Sequence, residues 1–457
     1  MKNEHPSVRR RWQSFLGIAA RRGFVAGSIV LVLALALLLF IDPLVNRFVK
    51  PKVSEAFAKA YPAYSMRVSD MDYSVLNNRF GIDGVDVRKV DGSFSGTMRR
   101  LSVGGIGWFH LLWGGELSPK DFADADIDAQ EVKVNLLPSH YTAYCRTLHV
   151  SIPDSEVVAQ SFNMQPKGND EEFFAESNIR RTRYHLDVPY AKANGFASLE
   201  MAQGKGCRIR SVQIRDAVVD ILLDKDKPYV ESTPPLMPNE MFASIEEPLN
   251  VSHLTIINGE LKYAERMRLG SVPGVITFDS VQASATGISN RGGREASVVI
   301  HAQGRFMKAG TMKVLMSIPV STKEFSYEYS GSLSKMNADA LNAFLEAGEQ
   351  MRIKRGVLDE ATFGITVVSG QASGTVRMVY RDLTFAVINK YTGSEKGIFD
   401  MASSIIANTF KFRRNNVPGK SGAMKIGQVK HSRQRDEYFM EFTWFALRSG
   451  VGNVIGF

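Results

Sequence analysis

The chain has few of the residues that build disulfide scaffolds, metal centres or catalytic sites. It contains 2 cysteines and 8 histidines in 457 residues. That scarcity excludes a disulfide-built scaffold and any zinc or iron–sulfur site made of several cysteines. The sequence also lacks G-x-S-x-G, H-E-x-x-H and phosphate-loop patterns. We therefore predict neither a catalytic site nor a cofactor.

Charge of one sign is only slightly in excess. The 56 Lys and Arg residues against 47 Asp and Glu give a net charge of +9. Over so long a chain this excess is weak support for a nucleic-acid partner, and we predict none. It does fit contact with an anionic membrane surface.

Long apolar runs are also scarce. The sequence contains a single one, at 23–41, and its 19 residues carry no charge. A helix of that length spans about 28 Å, close to the thickness of a bilayer core. The alternative is a cleaved signal peptide. The run is longer than usual for one, and Asp42-Pro43 follows it without a small-residue cleavage pattern. We predict an uncleaved, single-pass signal-anchor.

The flanking charges predict the orientation of this anchor. The tail 1–22 carries six basic residues, including Arg21 and Arg22 directly before the run, whereas Asp42-Pro43 follows it. Positive charge is retained on the cytoplasmic side. The tail is thus expected in the cytoplasm and the main domain across the membrane.

The rest of the chain changes from helical to strand-like periodicity. We expect an amphipathic linker helix at 42–65, a β-rich domain at 66–390 with a loop-rich insertion at about 153–248, and a basic, aromatic helical region at 391–457. Prolines cluster at 225–248 and indicate a boundary. Helices are predicted at 336–351, near 398–410 and from about residue 436.

A pattern of strand, tight corner and strand recurs within the β region. It occurs at Ile214 to Ile221 and at Ile256 to Tyr263, with polar or small residues such as Asp216 and Asn258 between the apolar positions. A bulge at the corner would keep the same face buried on both sides.

Three stretches resemble the AsmA-like proteins of the Gram-negative envelope. They are 101–134, with its Leu-Leu-Trp-Gly-Gly-Glu-Leu turn, then 253–263, which is similar to the family's I-x-x-G-x-L-x-Y strand pair, and 374–416. The resemblance implies curved, stacked antiparallel strands that form a groove with an apolar interior. It also implies a role in envelope lipid traffic or outer-membrane homeostasis.

The fold we predict is mainly β: an N-terminal transmembrane helix, an elongated curved antiparallel β-groove, and a helical C-terminal end. The residues expected to line the groove, or else to pack a closed core, are Val212, Ile214, Val219, Ile221, Ile256, Leu261 and Tyr263.

Two small sets of residues invite a chemical interpretation. His140, Cys145 and His149 are spaced like metal ligands, but no carboxylate pattern accompanies them, and we predict no metal site. Cys145 and Cys207 either form one disulfide or remain two unpaired thiols.

The C-terminal region carries a cluster of cations between aromatic segments. One interpretation is a membrane-surface contact made by Arg413, Arg414, Arg433 and Arg435. The other is a solvated cap that closes the end of the β-structure.

These features predict an inner-membrane protein whose main domain lies in the periplasm. Its expected function is to bind and shield the acyl chains of phospholipid or another lipid, without catalysis, in phospholipid transport or outer-membrane homeostasis. The alternative is an envelope scaffold or assembly factor for outer-membrane proteins, and envelope proteins are possible partners in either case.

Overall fold

The computed structural model describes residues 42–43, 45–74, 77–106, 122–202, 205–229, 234–268, 270–291, 296–320, 324–388, 395–397 and 412–456. The predicted tail 1–22, the anchor at 23–41, the Leu-Leu-Trp-Gly-Gly-Glu-Leu turn at 111–117 and the helix near 398–410 lie outside the described residues.

The strands of the described residues all belong to one 19-stranded sheet. Their alternation of apolar and polar residues gives the sheet two chemically distinct faces. In chain order the strands are β1 (Tyr64–Ser74), β2 (Arg79–Lys89), β3 (Phe94–Gly104), β4 (Asp126–Leu136), β5 (Tyr141–Ser151), β6 (Glu156–Pro166), β7 (Arg181–Asn194), β8 (Cys207–Arg215), β9 (Val218–Asp224), β10 (Leu249–Arg266), β11 (Gly274–Ser289), β12 (Ser297–Phe306), β13 (Gly310–Pro319), β14 (Tyr327–Leu333), β15 (Met336–Asn337), β16 (Met351–Val368), β17 (Gln371–Ile388), β18 (Glu395–Gly397) and β19 (Ile426–Ser432).

The α-helices are few and lie mainly between strands or at the ends of the described chain. A π-helical turn, Val45–Val49, precedes the first, and 3-10 turns occur at Leu137–Ser139 and Ala338–Leu341. The α-helices are α1 (Lys50–Ala60), α2 (Asp170–Ala175), α3 (Ser198–Ala202), α4 (Pro238–Ser244), α5 (Asn342–Gly348) and α6 (Phe439–Ile455).

The sheet is antiparallel except at one junction, which the sequence prediction did not include. β8 and β9 both pair with β7 on one side, and both pair in parallel with β10 on the other. Parallel neighbours need a long crossover connection. The proline-rich stretch 225–248, predicted as a boundary, is this crossover.

The range 153–248 differs from the loop-rich insertion that we expected. It contains β6, β7, β8 and β9, which are continuous members of the sheet. Two charged segments suggested loops. The first forms the short helix α2, where the side chains of Asn169 and Glu172 each accept a hydrogen bond from the other's backbone N–H. The other, at Arg181–Asn194, is β7 itself.

The helix expected at 336–351 is shorter than predicted. Met336 pairs with Leu358, so the chain still belongs to the sheet there. The side chain of Asn342 then holds the backbone of Ile353 by two hydrogen bonds, of 2.7 and 2.9 Å. These bonds bring the chain back into β16 directly after α5.

The sheet curls around α6. The Glu441 carboxylate near the start of α6 pairs with Lys225 at the end of β9, at 2.7 Å. Nine residues further along α6, Gly450 lies against Val429 of β19. Those nine residues span only about 14 Å, whereas the eight strand spacings from β9 to β19 span about 38 Å in a flat sheet. The sheet is therefore concave on the side that α6 occupies.

A line of backbone kinks crosses the sheet from β2 to β11. The residues involved have positive φ and lie at matching positions on β2, β4, β6, β10 and β11: Gly84, Glu131, Ser161, Asn258 and Ser280. Register shifts flank Asn258 and Ser280, as the strand–corner–strand pattern predicts for Asn258. Kinks of this type bend strands, and a shared line of them folds the sheet along its length.

Buried cores lie at both ends of the sheet, and a smaller one lies between them, where Phe173 and Phe174 of α2 pack on β9 and β10. At the C-terminal end, Phe442, Ala446 and Val454 of α6 are fully buried against β14, β16, β17 and β19. At the N-terminal end, Val45 and Val49 pack on β1 and β2. Phe48, which lies between them in the sequence, is 56% exposed.

Candidate functional site

One face of the sheet carries two rows of apolar residues that cross sixteen of its strands. Strand register places one residue from each of sixteen successive strands in a single row, and every member is apolar or glycine. The row is Met71, Ile82, Leu101, Ala129, Leu148, Ala159, Ala191, Ile214, Ile256, Ala283, Ala302, Val314, Gly331, Phe363, Val376 and Gly427.

A second row runs beside the first on the same face and has the same character. It lies two residues away on every strand, as the pleat requires. The row is Tyr73, Phe80, Val103, Ile127, Val150, Val157, Ala193, Val212, Leu254, Ala285, Ile300, Met316, Tyr329, Ile365, Gly374 and Val429.

The residues between these rows point to the opposite face and are mostly polar. The only large apolar members of that row are Val158 and Leu315. The row is Asp72, Gly81, Ser102, Asp128, His149, Val158, Lys192, Gln213, Thr255, Ser284, His301, Leu315, Ser330, Gly364, Thr375 and Gln428. The two faces thus differ in polarity over about 70 Å, since fifteen spacings of roughly 4.8 Å separate sixteen strands.

The structure places all seven predicted groove residues on the apolar face. Val212, Ile214 and Ile256 belong to the two rows. Beyond the kink, Val219 pairs with Leu261 and Ile221 pairs with Tyr263.

The apolar face continues through this kink, as β12 shows. Leu261 pairs with Phe278, and Phe278 with Phe306, while Ile256 leads through Ala283 to Ala302. β12 pairs with β13 without a register shift, and its residues 302 and 306 therefore share one face.

The middle of the apolar face is only half-buried, unlike its ends. Leu101, Leu148, Ile214 and Ile256 all have intermediate exposure, whereas Val376 beneath α6 is 1% exposed. Tyr263 is also buried, and its hydroxyl donates a 2.7 Å hydrogen bond to Glu265. Among the described residues, the middle of this face thus has apolar side chains that remain partly accessible.

Two of the four predicted membrane-surface arginines contact protein groups. Arg433 donates hydrogen bonds to Glu240 at 3.0 Å and to the Pro235 carbonyl at 2.8 Å, and it lies over the Phe325 ring. Arg413 donates to the Val454 carbonyl, at the C-terminal end of α6, at 3.3 Å. Both contacts fit the cap interpretation.

The other two arginines are more accessible. Arg414 and Arg435 are exposed, and the Arg414 carbonyl accepts a hydrogen bond from the Leu383 backbone. The structure therefore does not bring the four cations together as one free basic patch.

The spaced histidines and cysteine do not come together either. His140 pairs with Glu176 at 2.8 Å, and His149 contacts Asp128 at 2.8 Å on the polar face. Cys145 pairs in register with Phe162 on β6, away from both histidines. Cys145 and Cys207 are both free thiols.

The ligand-type atoms of Asp126, Asp128 and His149 lie within 4.8 Å of one another. The Arg79 guanidinium, however, bonds both carboxylates and supplies the positive charge that a metal would. Burial acts to raise the pKa of Asp128, but hydrogen bonds from His149 and Arg79 outweigh it, so this pKa lies below its ordinary value. The arrangement is that of an ion-pair network on a half-exposed surface.

None of the described helices is both long and apolar enough to cross a membrane. Neither the protein-family models nor the curated proteins provide a match for this chain. The similarity to the AsmA-like proteins, like the anchor, stays a prediction from sequence.

Proposed function

We propose that this chain is a membrane-anchored envelope protein that binds lipid acyl chains on the apolar face of its curved sheet. It would shield them during phospholipid transport or in outer-membrane homeostasis. The observation that supports the proposal is the pair of apolar rows, which are continuous across sixteen strands and half-buried in the middle.

The chemistry of the rows suits a lipid chain better than a specific small ligand. Burial of apolar surface contributes about 25 cal/mol per Å², or about 0.8 kcal/mol per CH₂ group, without directional contacts. Side chains in the rows, such as Leu148, Ala191 and Ile214, offer no hydrogen-bonding group that would fix one position. A chain bound there can move along the face without losing a particular bond.

The predicted anchor at 23–41 completes the proposal. An anchor directly before α1 and β1 would hold the N-terminal end of the sheet at the inner membrane, with the apolar face leading away from it. A periplasmic alkaline-phosphatase fusion after Phe457 tests this topology: activity supports it, and a silent fusion beside a fluorescent cytoplasmic-type fusion reverses it.

Site-specific photo-crosslinking in cells tests lipid binding. A photoreactive residue at Ile256 or Ile221 should capture lipid, because both positions lie on the apolar face. Thr255 is the matched control, since it adjoins Ile256 in sequence and points to the polar face.

Each outcome of this experiment decides between two functions. Lipid adducts at Ile256 and Ile221 but not at Thr255 support the groove. Adducts to protein alone, at several positions on the apolar face, would favour the alternative of a scaffold or assembly factor.

A further inference from the structure

A separate apolar pocket lies beneath α6, where the sheet ends. It has a volume of about 270 Å³ between α6, α5 and strands β16 and β17. Most of its lining is aliphatic or aromatic, including Leu341, Leu345, Leu358, Leu383, Phe385 and Val451. Protein interiors contain few voids larger than a water molecule, and an engineered apolar cavity of about 150 Å³ stays dry and binds benzene.

The pocket also contains a polar group without a partner. Trp444 lines it, and the Nε1–H of this side chain is buried and makes no hydrogen bond among the described residues. A buried indole N–H normally finds an acceptor. An apolar lining with one unpaired donor is the usual pattern of a site for a ligand with an apolar body and one acceptor group.

The mouth of the pocket and its position favour a lipid. Arg448 and Glu349 line the pocket and pair with each other at 2.5 Å, and the Arg448 side chain is 50% exposed. Met378, also in the lining, lies two residues from Val376 on β17 and therefore on the same apolar face. The pocket thus adjoins the C-terminal end of the surface proposed for acyl chains.

We propose that this pocket binds a lipid acyl chain and that an oxygen of its carboxylate or ester accepts a hydrogen bond from Trp444 Nε1–H. The inference rests on the proposed function and adds to it a terminal binding site at the far end of the groove from the anchor. The Arg448–Glu349 pair would lie beside the headgroup at the mouth.

Tryptophan fluorescence provides the test, because Trp444 is one of 4 tryptophans in the chain. Full-length protein with Trp12→Phe, Trp108→Phe and Trp113→Phe retains Trp444 alone.

The probes are dodecanoates brominated at carbon 6 or carbon 12. Both should quench Trp444, and the carbon-6 probe should quench more strongly because its bromine lies nearer the carboxylate. 1-Bromododecane, which lacks the oxygen, should bind about five-fold more weakly, the effect of one lost hydrogen bond.

A cavity-filling variant and a matched control locate the binding. Ala338 is 7% exposed and lines the pocket, so Ala338→Phe should abolish quenching. Ala343→Phe makes the same change at an exposed position of α5 that is not part of the pocket lining, and it should leave quenching unchanged. If Ala338→Phe fails to fold, Leu345→Phe serves as the second filling variant.

The quenching experiment and the photo-crosslinking experiment together separate this proposal from the proposed function. Lipid capture at Ile256 without quenching of Trp444 overturns the pocket and leaves the groove. Quenching that survives both filling variants also overturns the pocket. Quenching abolished by filling, without capture at Ile256, supports the pocket and overturns the groove.

Discussion

Lys225 and Glu441 join two distant parts of the sheet through α6. The Lys225 ammonium lies 2.7 Å from the carboxylates of both Glu441 and Glu265, and the two carboxylate side chains are 4% and 3% exposed. Two buried carboxylates therefore share one cation. The contact holds the start of α6 against the end of β9 and keeps the sheet curled.

The shared cation leads to a pH-dependent stability. Burial raises the pKa of Glu441 above its ordinary 4.5 by more than Lys225 lowers it. Burial lowers the pKa of Lys225, but its two carboxylate neighbours raise it more, so the pKa of Lys225 lies above its ordinary value. A carboxyl group with a raised folded-state pKa contributes stability that is lost as pH rises through that pKa. From pH 4.5 towards neutrality, the unfolding free energy of Glu441→Gln should therefore increase relative to that of the unchanged protein.

A control with the opposite sign accompanies this prediction. The hydrogen bond from Arg352 lowers the pKa of Glu346, so this group contributes stability above pH 4.5 that disappears as pH falls. In urea titrations at several pH values, Glu346→Gln should lose stability relative to the unchanged protein as pH rises. Parallel pH profiles for the two variants would contradict the role given to Glu441.

The contact between β19 and α6 tolerates no side chain at Gly427. A Cβ there would lie 2.1 Å from the Gly450 carbonyl oxygen and 2.7 Å from Val454. Gly427→Ala should lower the unfolding free energy by about 2 kcal/mol, as overpacking does. Gly364→Ala is the control, since a Cβ at that position meets nothing within 4 Å, and it should be neutral or slightly stabilising. Equal effects in urea unfolding would show that α6 does not pack as described.

The arginines of the C-terminal region should separate into two classes when their charge is reversed. Arg433→Glu removes two hydrogen bonds and places two carboxylates together at Glu240, so we expect a loss of about 2 kcal/mol in urea unfolding. Arg435 is exposed, and Arg435→Glu should change stability by less than about 0.5 kcal/mol. If Arg433→Glu unfolds like the unchanged protein but binds anionic liposomes less, the membrane-contact interpretation of that residue is correct.

Sequence periodicity was sufficient to predict the β class, the C-terminal helix and the face on which the candidate residues lie. Alternation along a strand determines which side chains share a face. A bulge adds one residue to the strand, so two residues an odd number apart, such as Ile256 and Leu261, can be assigned to the same face from sequence alone. The same local pattern also predicted the corner at Asn258.

Pairings between distant segments could not be predicted in this way. Whether β9 meets β10 in parallel depends on the path of the crossover 225–248, and no local pattern encodes that path. The charged residues Arg181 and Arg183 suggested a loop because their partners are remote in sequence: Arg183 contacts Asp220 on β9 at 3.0 Å. The pocket at Trp444 likewise combines α5, β16, β17 and α6, which only the folded chain brings together.

A bulky side chain in the middle of the apolar rows should obstruct movement along the face. Ala191 on β7 pairs with Ala159 and Ile214, and small side chains at 159 and 191 leave the face open there. Ala191→Trp should slow lipid transfer between donor and acceptor vesicles several-fold, while photo-crosslinking at Ile256 still captures lipid. The matched control is Lys192→Trp, which places the same ring on the polar face and should leave transfer unchanged. The two residues are adjacent on one strand, so a general loss of folding would affect both variants, and circular dichroism would detect it. Equal transfer rates for the two folded variants would mean that lipid does not pass along this face, even if it binds there.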